Sequence, residues 1–442
     1  MRFQLSVLSG CAPRQAACLR RSFVRAPVAL VLILIASEAA AAAADTDLRP
    51  LSLTEAVLLA ADDSPAIGAR RAAVESATSA IGPAGALPDP QLVAGIDNLP
   101  VNGGDAFSAT RDFRTMPKVG VMQEFPRAEK RRLRAERAEA EAARERALLA
   151  SEQLSVREAV ARAWVARAAA EKKLTLLHEL EPRAAAQASA AASAVSSGRG
   201  SAADGIAATT ARAMLADRID QAERDVEDAR ADFSRWLPAA AERPLGDAPD
   251  YTQIGVDPAS LPAKAGHHRE LLSYDAAERA AAAEVALARA EKRPDWSLEF
   301  DYAQRGPRYS NMVSLQFRVG LPLFAASRQD PLIASKLAAV TRIDAEREDA
   351  RRMHAAELRK IVTAWRSARE RVARYERELL PLADDRAAAA LAAYRGGRGD
   401  LQAALVALDQ CIEQRIAYAD LTGTLGQAWA MLYFAFPQER QP

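Results

Sequence analysis

The chain has 442 residues, half of them hydrophobic but only 5% aromatic, with a formal net charge of +1. Alanine supplies much of the apolar share and is the best helix former, so the composition favours long, closely packed helices over a thick globular core. The near-zero charge argues against nucleic acid as a partner, which calls for a basic surface.

Residues 1–44 read as a cleavable export signal. Arg14, Arg20, Arg21 and Arg25 form a basic region, residues 27–36 an apolar stretch, and residues 39–44 a run of alanine that fits an A-x-A cleavage site. The apolar stretch falls short of the roughly 20 residues that span a bilayer. Leu8-Ser9-Gly10-Cys11 imitates a lipoprotein box but precedes the apolar stretch, so too little signal stands before it. Cleavage removes Cys11 and Cys18, which leaves Cys411 without an intrachain disulfide partner. It also removes five basic residues and one acidic residue, taking the net charge from +1 to −3.

A first repeat is expected over residues 45–237. A helix at about 54–81 leads to a hairpin at about 88–126, whose second strand alternates Val119, Val121 and Phe125 with Lys118, Gly120, Met122 and Glu124. From 127 to about 196 there is no glycine and one proline, Pro182. That stretch predicts a long helix of about 100 Å. The turn Gly198-Arg199-Gly200 ends it, and a returning helix at about 202–237 repeats Ile219, Ala222, Val226, Ala229, Phe233 and Trp236 at coiled-coil spacing.

The proline-rich segment 238–262 reads as a linker or equatorial segment. A second repeat then follows over residues 263–436. A helix at about 268–292 enters a hairpin at about 294–324, in which Trp296, Leu298, Phe300 and Tyr302 alternate with Ser297, Glu299 and Asp301. After a turn at Gly306-Pro307, Val313, Leu315, Phe317, Val319 and Leu321 alternate with Ser314, Gln316, Arg318 and Gly320, a period of two that marks a strand pair. A second glycine-free stretch, about 325–395, ends at Gly397-Arg398-Gly399-Asp400. The last helix, about 401–436, carries the seam Leu401, Leu405, Leu408 and Ile412, and residues 437–442 form a tail.

The two halves carry the same elements in the same order, about 200 residues apart. Trp164, Pro182 and Gly198 match Trp365, Pro381 and Gly397, and Leu87-Pro88-Asp89 echoes Arg293-Pro294-Asp295. The lengths let each long helix run beside two shorter ones stacked end to end, with a hairpin at one end and a glycine turn at the other. Four strands cannot close a barrel, and an exported sheet with an apolar face and open edges needs partners. Strands of about 9–11 residues match a bilayer. The apolar set Val313, Leu315, Phe317, Val319 and Leu321 is then expected to face lipid.

No catalytic pattern is present: there is no G-x-x-x-x-G-K-S/T loop, no C-x-x-C and no H-E-x-x-H. Adjacent His267 and His268 read as a solvated helix start. Trp164 and Trp365 read as packing anchors. No enzyme activity, cofactor or metal site is expected.

Leu51-Ser52-Leu53-Thr54-Glu55-Ala56 followed by Ser64-Pro65, together with the doubled glycine turns, resembles the TolC-like outer membrane factor family. Met116, the run 119–127 and Lys130-Arg131 resemble its heavy-metal efflux branch, which serves cobalt–zinc–cadmium and copper pumps. The resemblance implies a homotrimer with a 12-stranded barrel in outer-membrane lipid and an α-helical tunnel in the periplasm. It also implies a periplasmic adaptor and an inner-membrane transporter as partners, with the adaptor docking at Gly198, Arg199, Gly200, Gly397, Arg398, Gly399 and Asp400. Some members close their tips with paired acids, but the matching positions are Ala403 and Val406. Drug efflux or protein secretion on the same fold, and a periplasmic coiled-coil adaptor or scaffold, are the alternatives. The arginines at the turns could instead cap helix-end carbonyls.

Overall fold

The computed structural model describes residues 49–255, 257, 260–261, 269–305 and 308–435. The expected signal with Cys11 and Cys18, the pair His267 and His268, the Gly306-Pro307 turn and the 437–442 tail lie outside the described residues.

The opening helix is divided into α1 (Leu53–Asp63), α2 (Pro65–Ser79) and the short α3 (Ile81–Gly85). Ser64 makes the first break: its hydroxyl accepts the Ile67 N–H at 3.5 Å and Pro65 begins the new helix, where the missing N–H costs nothing. Strands β1 (Gln91–Asp97) and β2 (Met116–Phe125) follow. The stretch expected as one long helix is two, α4 (Ala128–His178) and α5 (Glu181–Ser196). Pro182 is the reason, because its ring crowds the carbonyl of residue i−4, which is His178, the last residue of α4. The second long stretch is also divided. It runs as α8 (Gln329–Arg374), a π-turn at Tyr375–Leu379 and α9 (Leu380–Arg395), with Pro381 in the first turn of α9. Between them lie α6 (Ala202–Ser234), α7 (Tyr274–Ala290), β3 (Trp296–Ala303) and β4 (Met312–Val319), and α10 (Leu401–Tyr433) closes the described chain.

Helix α4 packs on both α6 and α7, and α8 packs on both α7 and α10. The predicted seams are the buried faces: Ile219, Ala222, Val226 and Phe233 of α6 are buried, as are Leu401, Leu405, Leu408 and Ile412 of α10. The largest core cluster gathers Trp164, Trp365 and Trp429 with Leu51, Phe233, Leu237 and the linker residues Tyr251, Ile254 and Leu261. Each tryptophan also ties down a backbone. Trp164 Nε1 donates to the Leu51 carbonyl at 3.1 Å, Trp365 to Tyr251 at 2.9 Å and Trp429 to Gln253 at 2.7 Å. The linker is held further by Arg167, which is 2% exposed and donates to the carbonyls of Ala241 and Arg243, both at 2.8 Å. No helix among the described residues is long and apolar enough to cross a membrane.

The four strands form one antiparallel sheet in the order β1-β2-β3-β4. The central β2–β3 ladder joins residues more than 170 apart in sequence, Phe125 opposite Trp296 and Val121 opposite Phe300. Among the described residues both edges, β1 and β4, lack a neighbour. Leu321, grouped with β4 from its alternation, lies beyond the strand's end at Val319, although it remains exposed.

Candidate functional site

The sheet is inside out. The register aligns Leu92, Val121, Phe300 and Leu315 in one row across all four strands, and Ala94, Val119, Tyr302 and Val313 in the next. The large residues of these rows are 45–76% exposed, and Phe317 and Val319 continue the face at 63% and 42%. On the opposite face Glu299 and Asp301 are only 3% and 2% exposed. Glu299 pairs with Arg318, and Asp301 lies 4.0 Å from Lys118 Nζ and accepts from Gln316 at 3.4 Å. Gly120 makes room for this acid, since a Cβ there would sit 2.2 Å from Asp301 Oδ1. In water such a sheet would be arranged the other way, because buried charges need partners and exposed apolar rows cost hydration. Its arrangement suits a surface with lipid outside and water inside.

At the other ends of the helices two turns share one backbone pattern. After α5, Gly198 N–H donates to the Val195 carbonyl at 3.0 Å, while the N–H groups of Arg199 and Gly200 both reach the Ala194 carbonyl, at 2.9 and 3.0 Å. After α9, Gly397 donates to Tyr394 at 3.0 Å, and Arg398 and Gly399 both reach the Ala393 carbonyl, at 2.9 and 3.1 Å. Gly198 and Gly397 take φ of +70° and +67°, the left-handed exit that glycine adopts without penalty. Gly200 and Gly399 are needed for close approach, with an added Cβ meeting Ala194 or Ala393 at 3.2 or 3.1 Å. The helix that follows is capped in each case. Ser201 forms a capping box with Asp204, and Asp400 accepts the Ala403 N–H at 2.6 Å. Asp400 therefore has a local task at the start of α10. Arg199 and Arg398 are exposed, and among the described residues neither side chain bonds a helix-end carbonyl; Arg199 Nε meets Ser197 Oγ at 3.1 Å.

Sequence reasoning missed the ion cluster at the joint between sheet and helices. Lys130 is 2% exposed and its Nζ contacts Asp295 at 2.7 Å and Glu291 at 3.2 Å, fixing the start of α4 to the start of β3. Arg127 N–H also donates to Asp295 at 3.0 Å. The only signal was the clustering of opposite charges around both prolines, Pro126 and Pro294. Part of the motif that resembles the heavy-metal branch thus has a structural role. A second cluster, just past the helix breaks, centres on Asp384. It accepts from Arg183 at 2.7 Å and from Arg415 at 2.8 Å, while the Cys411 thiol lies 3.4 Å away. Burial opposes ionisation of Asp384, but the two arginines outweigh it and hold the carboxyl below the usual range. Burial and the neighbouring Asp384 push the Cys411 thiol up. Among the described residues no group of three or more His, Cys, Asp or Glu could hold a metal ion.

No sequence-family model matches the chain, and no curated protein does. Solved structures match over most of its length. The outer-membrane channel OprN is 17% identical over 87% of this chain and 89% of its own, with a TM-score of 0.72. The outer membrane protein VceC of Vibrio cholerae is 18% identical over 87% and 96%, with a TM-score of 0.70. CusC, whose structures concern folding and transmembrane channel formation, is 14% identical over 87% and 92%, with a TM-score of 0.69. The chain has the fold of these channels. In this chain the sheet carries the outward apolar rows, and the paired turns stand at the far ends of the helices.

Proposed function

We propose that the chain is the outer-membrane channel subunit of a tripartite efflux pump. It acts as a passive exit duct, not an enzyme, for substrate delivered by an inner-membrane transporter and a periplasmic adaptor. The observation that carries the reading is the inverted sheet: the apolar row Leu92, Val121, Phe300 and Leu315 is exposed while Glu299 and Asp301 are buried. The open edges at β1 and β4 support closure by further copies, since unpaired backbone N–H and C=O groups cannot face hydrocarbon. Three copies, each a tandem repeat contributing four strands, make a barrel of twelve, an even number within the bacterial range. Export by cleavage near residue 44 brings the chain to the periplasm. Fractionation tests the reading. A heat-modifiable trimer in the outer membrane is expected, and a soluble periplasmic monomer would sink the proposal.

Heavy-metal cations are the proposed cargo, on the resemblance of residues 116–131 to that efflux branch. A deletion strain should become sensitive to cobalt, zinc, cadmium or copper. Sensitivity to organic drugs alone would move the cargo to drug efflux. The turns at Arg199 and Arg398 are the proposed adaptor docks, supported by their shared backbone pattern and exposed guanidinium groups. Arg398→Glu should weaken crosslinking to the adaptor at unchanged protein level. Unchanged crosslinking in a variant carrying both Arg199→Glu and Arg398→Glu would remove the turns from docking.

A further inference from the structure

Where the sheet meets the helices, an open cavity of about 670 Å³ lies between the outward aromatic residues and the first turn of α4. Its floor is apolar. Phe125 stacks on Trp296 with ring centres 4.2 Å apart, Phe317 lies 5.5 Å from Trp296, and Val319 stands opposite Trp296 in the β3–β4 ladder. Its helix-side wall carries Arg127 and Arg131, and neither guanidinium has a carboxylate partner among the described residues. Arg127 gives its Nε–H to the Pro294 carbonyl at 3.1 Å, which leaves its terminal nitrogens free. Arg131 Nε is buried and has no acceptor at all. Protein encloses that nitrogen, so an oxyanion in the cavity would be met by the other guanidinium N–H groups of Arg131, for which no protein acceptor is found among the described residues.

The surrounding charges do not cancel these two. Glu129, the one acid on the cavity wall among the described residues, is engaged by Arg293. Glu291 and Asp295 are shared by Lys130 and Arg134. The cluster holds five cations against three carboxylates, so positive charge remains at the cavity mouth. An apolar floor beside uncompensated guanidinium groups fits a ligand with both a phosphate and a hydrocarbon part. A free anion would use only the wall.

We propose that this cavity binds an anionic glycerophospholipid, its phosphate on Arg127 and Arg131 and an acyl chain along Trp296, Phe317 and Val319. The proposal rests on the outer-membrane reading given above. On that reading the helix end of the sheet is the periplasmic rim of the barrel, the level at which aromatic residues gather at a bilayer boundary. Arginine on phosphate makes bidentate, charge-assisted bonds.

Native mass spectrometry of the detergent-purified full-length oligomer tests it, with phosphatidylglycerol and phosphatidylcholine as probes and inorganic phosphate as competitor. Wild type should retain phosphatidylglycerol in preference to phosphatidylcholine. Arg131→Gln should weaken that retention about tenfold, the scale of one charge-assisted hydrogen bond. Trp296→Ala should weaken it as well, through the floor. Arg132→Gln, one position along and paired with Glu136 on the exposed side of α4, should leave it unchanged. Equal retention in the Arg131 and Arg132 variants overturns the proposal. So does displacement by inorganic phosphate with no effect of Trp296→Ala, which would make the cavity a free phosphate site. Fractionation separates the two levels of the argument. A wild-type protein absent from the outer membrane defeats the functional reading. Normal localisation and heat-modifiable mobility in every variant, with lipid retention indifferent to Arg131, defeats the lipid site alone.

Discussion

The sheet and the tryptophan core obey opposite rules within one chain. Around Trp164 and Trp365, 0% and 2% exposed, apolar side chains are enclosed, and the buried Arg167 beside them is held by two backbone carbonyls. In the sheet Leu315 and Phe317 are 68% and 63% exposed, while Glu299 and Asp301 are enclosed. The helical part is therefore built to exclude water from its interior. The sheet is arranged the other way, with its apolar rows outward and its acids enclosed. On the proposed outer-membrane reading the same hydrophobic effect gives both arrangements, because the solvent differs.

The comparison breaks first at the core. Trp164→Ala removes a fully buried ring and should cost about 3–5 kcal/mol, enough to abolish assembly. Trp164→Phe keeps most of the volume and loses the 3.1 Å bond to the Leu51 carbonyl, for about 1 kcal/mol. Thermal melting of the purified oligomers separates the two, and similar losses would mean that the hydrogen bond, not the packing, anchors the segment at Leu51. Next comes the sheet. Leu315→Arg places a charge on the outward row and should cost about 2–4 kcal/mol in a bilayer. Ser314→Arg, on the other face, should be tolerated. If the two variants assemble equally well in membranes, the assignment of faces is wrong.

Much of this contrast was legible in the sequence, for a physical reason. A strand has period two, so Val313, Leu315, Phe317 and Val319 against Ser314, Gln316 and Arg318 declares two faces without any knowledge of the fold. The glycine turns were legible because few residues accept a φ near +70°. The helix breaks were less so: Pro182 and Pro381 were visible, but whether a proline gives a two-residue break or a π-turn depends on neighbouring packing. The β2–β3 ladder was not legible at all, since alternation fixes faces but not which distant strand pairs with which. The clusters at Lys130 and Asp384 join residues 161 and 201 apart, a separation that local pattern cannot see.

A smaller effect is expected at the helix ends. Gly397→Ala should cost about 1–2 kcal/mol, because an L side chain at φ +67° meets its own carbonyl. Gly399 has no such backbone demand, but its N–H is bonded to the Ala393 carbonyl and an added Cβ would lie 3.1 Å from the Ala393 side chain. Denaturant melts of Gly198→Ala and Gly397→Ala side by side sharpen the comparison between the halves. Their shared backbone pattern predicts equal losses, and a loss confined to one turn would show that the second is stabilised from elsewhere.

The smallest effect concerns charge. Asp384 on α9 binds Arg183 of α5 and Arg415 of α10, and so ties the two halves together beyond the helix breaks. Its folded pKa is depressed below the ordinary 3.8. The sign follows from linkage: the ionised form is favoured by folding, so its contribution is fully present above the ordinary value and is lost as pH falls through the lower folded value. The carboxyl is 31% exposed, and solvent screening limits the contribution to about 1 kcal/mol or less. Asp384→Asn should therefore lower the melting temperature at pH 7, with the gap from wild type closing at the acid end of a titration from 7 down to 2. A gap that persists unchanged into acid would assign the effect to lost hydrogen-bond geometry. The charge would then contribute nothing at this joint.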